Sequence, residues 1–151
     1  MRERFEIKPA TLRDAHPIRH LEMAAFPKDA YSYLNITTLL MWPGGAHFKA
    51  VDEQDLLVGF ISATPDWGKH IDWIVTLGVH PDYHNRGLGR RLLVMAENAM
   101  SQPRLRLTVR ASNTAAIHLY TSADYVPCFT EPRYYSDGED GIVMEKIRFA
   151  E

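Results

Sequence analysis

Residues 80–93 read HPDYHNRGLGRRLL, a segment that combines two glycines and three arginines just before a leucine-rich run. Gly87 and Gly89 allow a backbone to approach a ligand closely. The preceding run, IDWIVTLGV, is typical of a buried strand, and the apolar residues after the loop recur at helical spacing. A glycine turn between a strand and a helix directs free backbone N–H groups outward, where the helix dipole adds positive potential. The segment therefore predicts an anion-binding pocket.

The spacing of the loop excludes two common phosphate-binding motifs. A Walker loop continues with lysine and then serine or threonine, and the dinucleotide fingerprint has three spaced glycines. Six arginines and one acid, Glu97, lie between positions 84 and 110, although the whole chain has a formal charge of −2. From the loop alone, phosphate binding and a tight turn with a solvated arginine face are equally supported.

Length and composition limit the class of protein. The 151 residues, 46% of them hydrophobic, predict one compact domain spanning 1–151. The slightly negative net charge argues against nucleic acid or an anionic membrane as a partner. The single cysteine, Cys128, excludes an internal disulfide or a cysteine-based zinc site. His80 and His84 are separated by a proline and a turn, so we predict no metal.

The start of the chain and the order of its elements complete this outline. The segment MRERFEIKPA is charged, and no apolar run approaches the ~20 residues needed to span a bilayer, so we expect a cytoplasmic protein. Apolar periodicity and turn residues predict a strand, two helices, three strands, a helix, a strand, a helix and two strands. This order indicates an α/β fold, a mixed sheet with helices packed on it.

Two longer segments carry a family resemblance. The runs TLGVHPDYHNRGLGRRLL and LTVRASNTAAIHLYTSADY together resemble the GNAT superfamily of N-acetyltransferases, whose acetyl-CoA signature is a Q/R-x-x-G-x-G/A loop after a central strand. The resemblance covers nearly the whole chain. It implies a mostly antiparallel sheet of about seven strands with about four helices. AAFPKDAY and PRYYSDGEDGIVMEK resemble the protein N-terminal acetyltransferases, including those that act on ribosomal proteins.

The resemblance implies a binding site for acetyl-CoA. The backbones of Leu77 and Val79, together with Asn113, would bind the pantetheine arm. The first signature position is His84 instead of glutamine or arginine, which we expect to matter little because backbone N–H groups supply most of such a site. The residues expected around the pyrophosphate are Asn85, Arg86, Gly87, Leu88, Gly89 and Arg90.

The resemblance also implies a proton donor. Acyl transfer to an amine needs a base for the ammonium and an acid for the leaving thiolate. Tyr120 matches the family's general acid, seven residues after Asn113, which is a good N-cap for its helix. The alternative is a half-buried tyrosine that anchors the helix.

The general base is less clearly indicated. The strand positions that carry it in relatives hold Trp73 and Thr108, neither of which accepts a proton at neutral pH. Asp29, in the loop after the first helix, is the best side-chain candidate. A helix-capping role for Asp29 and a water relayed from the backbone remain alternatives, and His70 and Asp72 rank lower.

The resemblance places an acceptor groove between the loop after the first helix and the last hairpin. Phe26, Pro27 and Tyr31 would line one side, with Tyr134 and Tyr135 on the other. Core packing is the alternative, above all for Phe26. The predicted acceptor is a protein or peptide N-terminus. A small amine such as a polyamine or antibiotic, or acetyl-CoA binding without turnover, is the alternative.

Overall fold

The computed structural model describes residues 4–148 and contains the predicted order of elements. The strands are β1 (Glu6–Pro9), β2 (Ala46–Val51), β3 (Leu57–Asp66), β4 (Ile71–Val79), β5 (Arg104–Arg110), β6 (Val126–Glu131) and β7 (Gly141–Ile147). The helices are α1 (Ala15–Ala25), α2 (Tyr33–Leu40), α3 (Leu88–Ala99) and α4 (Thr114–Ser122). The predicted fold class is confirmed. Among the described residues, no helix is long and apolar enough to cross a membrane.

The strands form one sheet in the order β1-β2-β3-β4-β5-β7-β6. Every neighbouring pair is antiparallel except β4 and β5, which run parallel. The connection between β4 and β5 contains the glycine loop and α3, as a parallel crossover requires. The loop therefore lies at the carboxyl end of a central strand.

Strands β4 and β5 separate soon after they pair. Their register covers only Ile71–Trp73 against Arg104–Arg106, whereas both strands continue well beyond this point. Opposite β3, Thr76 pairs with Ser62 and Ile74 with Ala63, which leaves Val75 as an extra residue. Such a bulge bends a strand and increases its local twist. The gap between the two strands exposes backbone and side chains at the centre of the sheet.

Helices cover both faces of the sheet. On one face, α3 and α4 pack in a core with Ile61, Leu105 and Leu107. On the other, α1 and α2 pack around Phe60. Phe60 and Ile61 are adjacent on β3 and contribute to opposite cores, as the alternation of a strand dictates.

Local side chains fix the helix starts. The Asn113 side chain accepts a hydrogen bond from the Ala116 N–H, as predicted for the N-cap of α4, and Ser32 caps α2 in the same way. The Asp14 carboxylate accepts from the Thr11 N–H at 2.8 Å. Thr11 precedes a short 3₁₀ turn at Leu12–Asp14 that the sequence did not predict.

Candidate active site

A cavity of about 510 Å³ lies where β4 and β5 separate. It is lined by these strands, by α1 and the loop after it, by α4 and by the loop between β6 and β7. Trp73 and Thr108 line it, at the positions where the resemblance placed a base. The other predicted site residues along its wall are Phe26, Asp29, Tyr31, Leu77, Asn113, Tyr120, Tyr134 and Tyr135.

The glycine loop lies beside this cavity, at the start of α3. Asn85 and Gly87 adopt left-handed backbone conformations, with φ of 63° and 76°. Asparagine and glycine tolerate this conformation best, which explains their place in the loop. The Leu88 side chain is fully buried in the core, so only its backbone is available to a ligand. A Cβ at Gly89 would lie 3.4 Å from Leu119 of α4, which shows how closely the two helices approach.

Side chains around the loop are held by protein contacts. The Arg86 guanidinium donates to the Asp82 carbonyl and stacks over Tyr83, and Arg90 donates to the Ser122 hydroxyl and carbonyl. A ring nitrogen of His84 donates to the Val79 carbonyl at 2.8 Å. These contacts hold the Arg86, Arg90 and His84 side chains against the protein surface beside the loop.

The excess of arginines between positions 84 and 110 does not form one basic patch. Arg104 and Arg106 on β5 pair with Glu145 of β7. Arg110 is surrounded by acids from two loops, described below. The arginines of β5 are thus paired with acids from other segments of the chain. The arginines near the glycine loop are Arg86, Arg90 and Arg91.

Tyr120 is buried on α4 and is held by ring packing. It is 6% exposed, and its ring meets that of Tyr125 edge to face, with centroids 5.8 Å apart. Its hydroxyl makes no hydrogen bond to another residue in the described part of the chain. Burial, and to a lesser extent nearby Tyr135, raises the pKa of Tyr120 well above the ordinary tyrosine value. The phenol therefore remains protonated at neutral pH and is free to donate.

Asp29 is bound to Arg110 through both carboxylate oxygens. The Arg110 Nε and Nη2 atoms donate to Asp29 Oδ2 and Oδ1, each at 2.7 Å. With both oxygens held in this bidentate geometry, neither is left without a partner. Asp29 does not cap α2, because Ser32 does so. In the structure its side chain is an ion-pair partner of Arg110.

Residues from both predicted sides of the groove line the cavity, except Pro27. Phe26 approaches the backbone of β4, where a Cβ on Gly78 would lie 3.0 Å from its ring. Burial raises the pKa of Tyr31 to about 12, and its hydroxyl lies 3.5 Å from the Val75 carbonyl. Tyr134 and Tyr135 stack edge to face on the opposite rim, with centroids 4.9 Å apart. Pro27 is exposed and lies outside the cavity wall.

Glu22 on α1 is a cavity residue that sequence reasoning missed. It is 2% exposed, and its Oε1 accepts a hydrogen bond from the Thr76 hydroxyl at 2.8 Å. A signal was present, because Glu22 follows Ile18 and Leu21 on the apolar face of α1. An acid at such a position is rarely buried without a reason.

The family assignment follows from a match to the Acetyltransferase (GNAT) family over residues 15–125. The chain belongs to this family. The sequence resemblance is therefore confirmed, and the protein is an acetyl-CoA-dependent N-acetyltransferase. Among residues 4–148, no three His, Cys, Asp or Glu side chains are grouped to hold a metal ion.

Known GNAT proteins resemble this chain along most of its length. The N-terminal acetyltransferase A complex catalytic subunit ard1 of Schizosaccharomyces pombe is 29% identical, with 94% of this chain and 85% of that protein covered. The crystal structure of the ribosomal-protein-S18-alanine N-acetyltransferase from Escherichia coli has a TM-score of 0.87 and 25% identity, covering 98% and 96% of the two chains. Arabidopsis thaliana NAA60 in complex with acetyl-CoA shares the fold, with a TM-score of 0.80, 20% identity and coverage of 95% and 98%.

Arg110 joins both rims of the GNAT cavity. Besides Asp29, its guanidinium binds Asp137 at 2.9 Å and Glu139 at 2.8 Å, both in the loop between β6 and β7. It also stacks on Tyr135, 4.3 Å from the ring centroid. One cation thus holds three carboxylates that would repel one another without it.

Replacing Arg110 with Met should raise the acceptor KM by about tenfold and lower the Tm. Without Arg110 the two loops that line the cavity would no longer be held in the positions that orient the acceptor. Steady-state kinetics and thermal denaturation would measure this. Hydrogen bonds from the Glu139 backbone and Arg110 lower the pKa of Asp137 from its ordinary value of 3.8. Hydrogen bonds from Ser112 and Arg110 lower the pKa of Glu139 from its ordinary value of 4.5. Their stabilisation is present above those values and is lost as the pH falls through the lowered pKa values. The Tm difference should therefore shrink below about pH 4.

A matched control is Arg106→Met, which breaks the ion pair with Glu145 on the same strand but outside the cavity wall. It should lower the Tm without changing the acceptor KM. An equal rise in KM for both variants would contradict a rim-specific role for Arg110.

Proposed function

We propose that the acceptor is the N-terminal α-amine of a protein or peptide. The observation that carries the proposal is that Tyr31 and Tyr134 line one cavity from opposite loops. Phenol rings enclose a first side chain while their hydroxyls hydrogen-bond a peptide backbone. The names of the S. pombe and E. coli relatives, both acetyltransferases of protein substrates, support the same acceptor class.

The charges of the cavity favour a peptide over a polyamine. A molecule with several positive charges is best bound by several free carboxylates. Of the acids on the cavity wall, Asp29 is paired with Arg110 and Glu22 is buried, which leaves Glu131 at an exposed position. A single α-ammonium needs no more than one carboxylate.

The acetyl-CoA site that we propose extends from the glycine loop to the cavity. The left-handed Asn85 and Gly87 turn the chain into α3, whose first N–H groups are unsatisfied within the helix and suit a pyrophosphate. The residues around the pyrophosphate would be Asn85, Arg86, Gly87, Leu88, Gly89 and Arg90. Leu77, Val79 and Asn113 would bind the pantetheine arm. We propose that residues 1–151 form a single N-acetyltransferase domain.

Within this arrangement the reaction is a direct transfer. The neutral amine nitrogen attacks the thioester carbonyl carbon, a C–N bond forms and the C–S bond breaks. Tyr120 donates its proton to the leaving sulfur, the nitrogen loses its extra proton to solvent as the amide forms, and Tyr120 later regains a proton from solvent. Its high pKa keeps it in the protonated form that this step requires.

Tyr31→Ala and Tyr134→Ala should each raise the peptide KM strongly, about tenfold or more, because each removes a ring and a hydroxyl from one rim. Acetyl-CoA affinity should stay nearly unchanged. The measurement is steady-state kinetics with the best peptide from a mass-spectrometric screen of short peptides and small amines, including spermidine.

Tyr33→Ala is the matched control, since Tyr33 is 51% exposed on α2 and lies outside the cavity wall. Its peptide kinetics should match those of the wild type. Unaltered kinetics in both rim variants, or spermidine as a far better acceptor than every peptide, would replace the N-terminal acceptor with a small amine.

A further inference from the structure

Glu22 combines burial, a fixed position and an unpaired oxygen within the cavity wall. Thr76, on the bulged part of β4, donates its hydroxyl proton to Oε1 at 2.8 Å. The other oxygen, Oε2, is buried without a hydrogen-bond partner in the described chain. An unpaired buried oxygen is costly, and a functional need is one reason for a fold to retain it.

No basic side chain among residues 4–148 pairs with this carboxylate. Within the described chain, Glu22 forms no ion pair with a lysine, arginine or histidine. Asp29, the other carboxylate near the same wall, has both oxygens bound by Arg110. Glu22 is therefore the buried carboxylate of the cavity with an oxygen available for a proton.

The protonation behaviour of Glu22 agrees with this geometry. Burial raises its pKa above the ordinary glutamate value of 4.5, while the Thr76 hydrogen bond and the Tyr31 backbone lower it in part. A carboxylate whose pKa is moved toward neutrality is a better proton acceptor at physiological pH than an ordinary one. Trp73 and Thr108, at the positions expected for a base, have no such capacity.

We propose that Glu22 is the general base that accepts the proton of the acceptor ammonium, through Oε2. The proposal rests on the proposed function only in requiring a primary amine as acceptor. The ammonium N–H bond breaks, its proton goes to Oε2, and its electron pair becomes the nucleophile. After transfer, Glu22 releases the proton to solvent, so the net reaction yields the amide, free thiol and one proton.

The test is the pH dependence of kcat/KM in Glu22→Gln, measured with the best peptide and with spermidine. At pH 6.5 the loss should be about 10²-fold, the contribution expected of a positioned base. Without the base, only amine that is already neutral reacts. With the peptide, the difference in kcat/KM between Glu22→Gln and wild type should therefore narrow to less than about tenfold near pH 9, above the ~7.7 pKa of an α-amine.

A second variant covers the possibility that Glu22→Gln fails to fold. Thr76→Val keeps the carboxylate but removes the hydrogen bond that lowers its pKa. The acid limb of kcat/KM should therefore move to higher pH. Glu97→Gln is the control, because Glu97 is a buried glutamate outside the cavity wall, bound by Tyr125 and Lys146. It should leave the shape of the profile unchanged.

The outcomes separate the two proposals. A gap that narrows only above about pH 10 for spermidine, whose primary amines resemble the lysine amine of pKa ~10.4, in a protein that uses no peptide, supports the base and overturns the N-terminal acceptor. A loss that is equal at every pH, with no shift of the acid limb in Thr76→Val, shows that Glu22 acts only in packing and overturns the base.

Stability gives an independent check. Because the pKa of Glu22 is raised in the folded protein, its protonated side chain stabilises the fold at low pH. This stabilisation is lost as the pH rises through that pKa. The Tm of Glu22→Gln relative to wild type should therefore increase with pH.

Discussion

Replacing Tyr120 with Phe should lower kcat by about 10²-fold or more, the usual effect of losing a positioned proton donor. The ring would stay in place, because its packing on Tyr125 involves no hydroxyl and the Tyr120 hydroxyl makes no hydrogen bond within the described chain. Both the Tm and the affinity for acetyl-CoA should therefore match the wild type. Single-turnover kinetics and isothermal titration would separate chemistry from binding.

Tyr125→Phe is the matched control for that substitution. The Tyr125 hydroxyl donates to Glu97 Oε2 at 2.7 Å, away from the cavity wall. Its removal leaves a buried carboxylate short of a partner, so the Tm should fall while kcat stays near the wild-type value. If Tyr120→Phe leaves kcat unchanged, Tyr120 is not the proton donor. Its burial would then reflect only a role in anchoring α4.

The parts of the site that are local in sequence could be predicted from it. The glycine loop, the strand before it and the helix after it lie within a short segment, and their residue types determine backbone geometry directly. Asn85 and Gly87 adopt left-handed conformations where such residues are favoured, and Asn113 caps α4. These features follow from local physics, so no tertiary knowledge was needed.

Features that depend on distant residues could not be predicted. Asp29 and Arg110 are 81 positions apart, so nothing near Asp29 in sequence reveals that both its oxygens are bound. The same holds for Glu22 and Thr76, which are 54 positions apart. Proton affinity depends on such partners and on burial. The identity of the base is therefore a tertiary property, whereas the backbone geometry of the glycine loop is a local one.

The charge surplus illustrates the same limit. Strand β5 carries Arg104, Arg106 and Arg110, and in the structure each of them pairs with acids from distant segments of the chain. The run of arginines therefore reports strand pairing as much as ligand binding. In contrast, Arg86, Arg90 and Arg91 surround the start of α3, beside the left-handed Asn85 and Gly87.

Gly89→Gln should weaken acetyl-CoA binding by about 100-fold, which would remove most of the ~2.7 kcal/mol stabilisation that a ligand gives at 100 times its Kd. Gly89 lies in the first turn of α3, where a Cβ would be 3.4 Å from Leu119 and 3.8 Å from Val79. A long side chain there would fill the space between the loop and α4. The measurement is the thermal shift on adding acetyl-CoA.

Gly89→Ala is the graded control for this prediction. Its Cβ would make ordinary van der Waals contact, so the thermal shift should be largely retained. Both substitutions replace a helical glycine, which should stabilise the unliganded protein by about 0.5–1 kcal/mol, so unfolding would not explain a loss of binding. A Gly89→Gln protein with an undiminished shift would place the pyrophosphate away from this loop. A loss in both variants would instead mean that the backbone itself must approach the ligand closer than any Cβ allows.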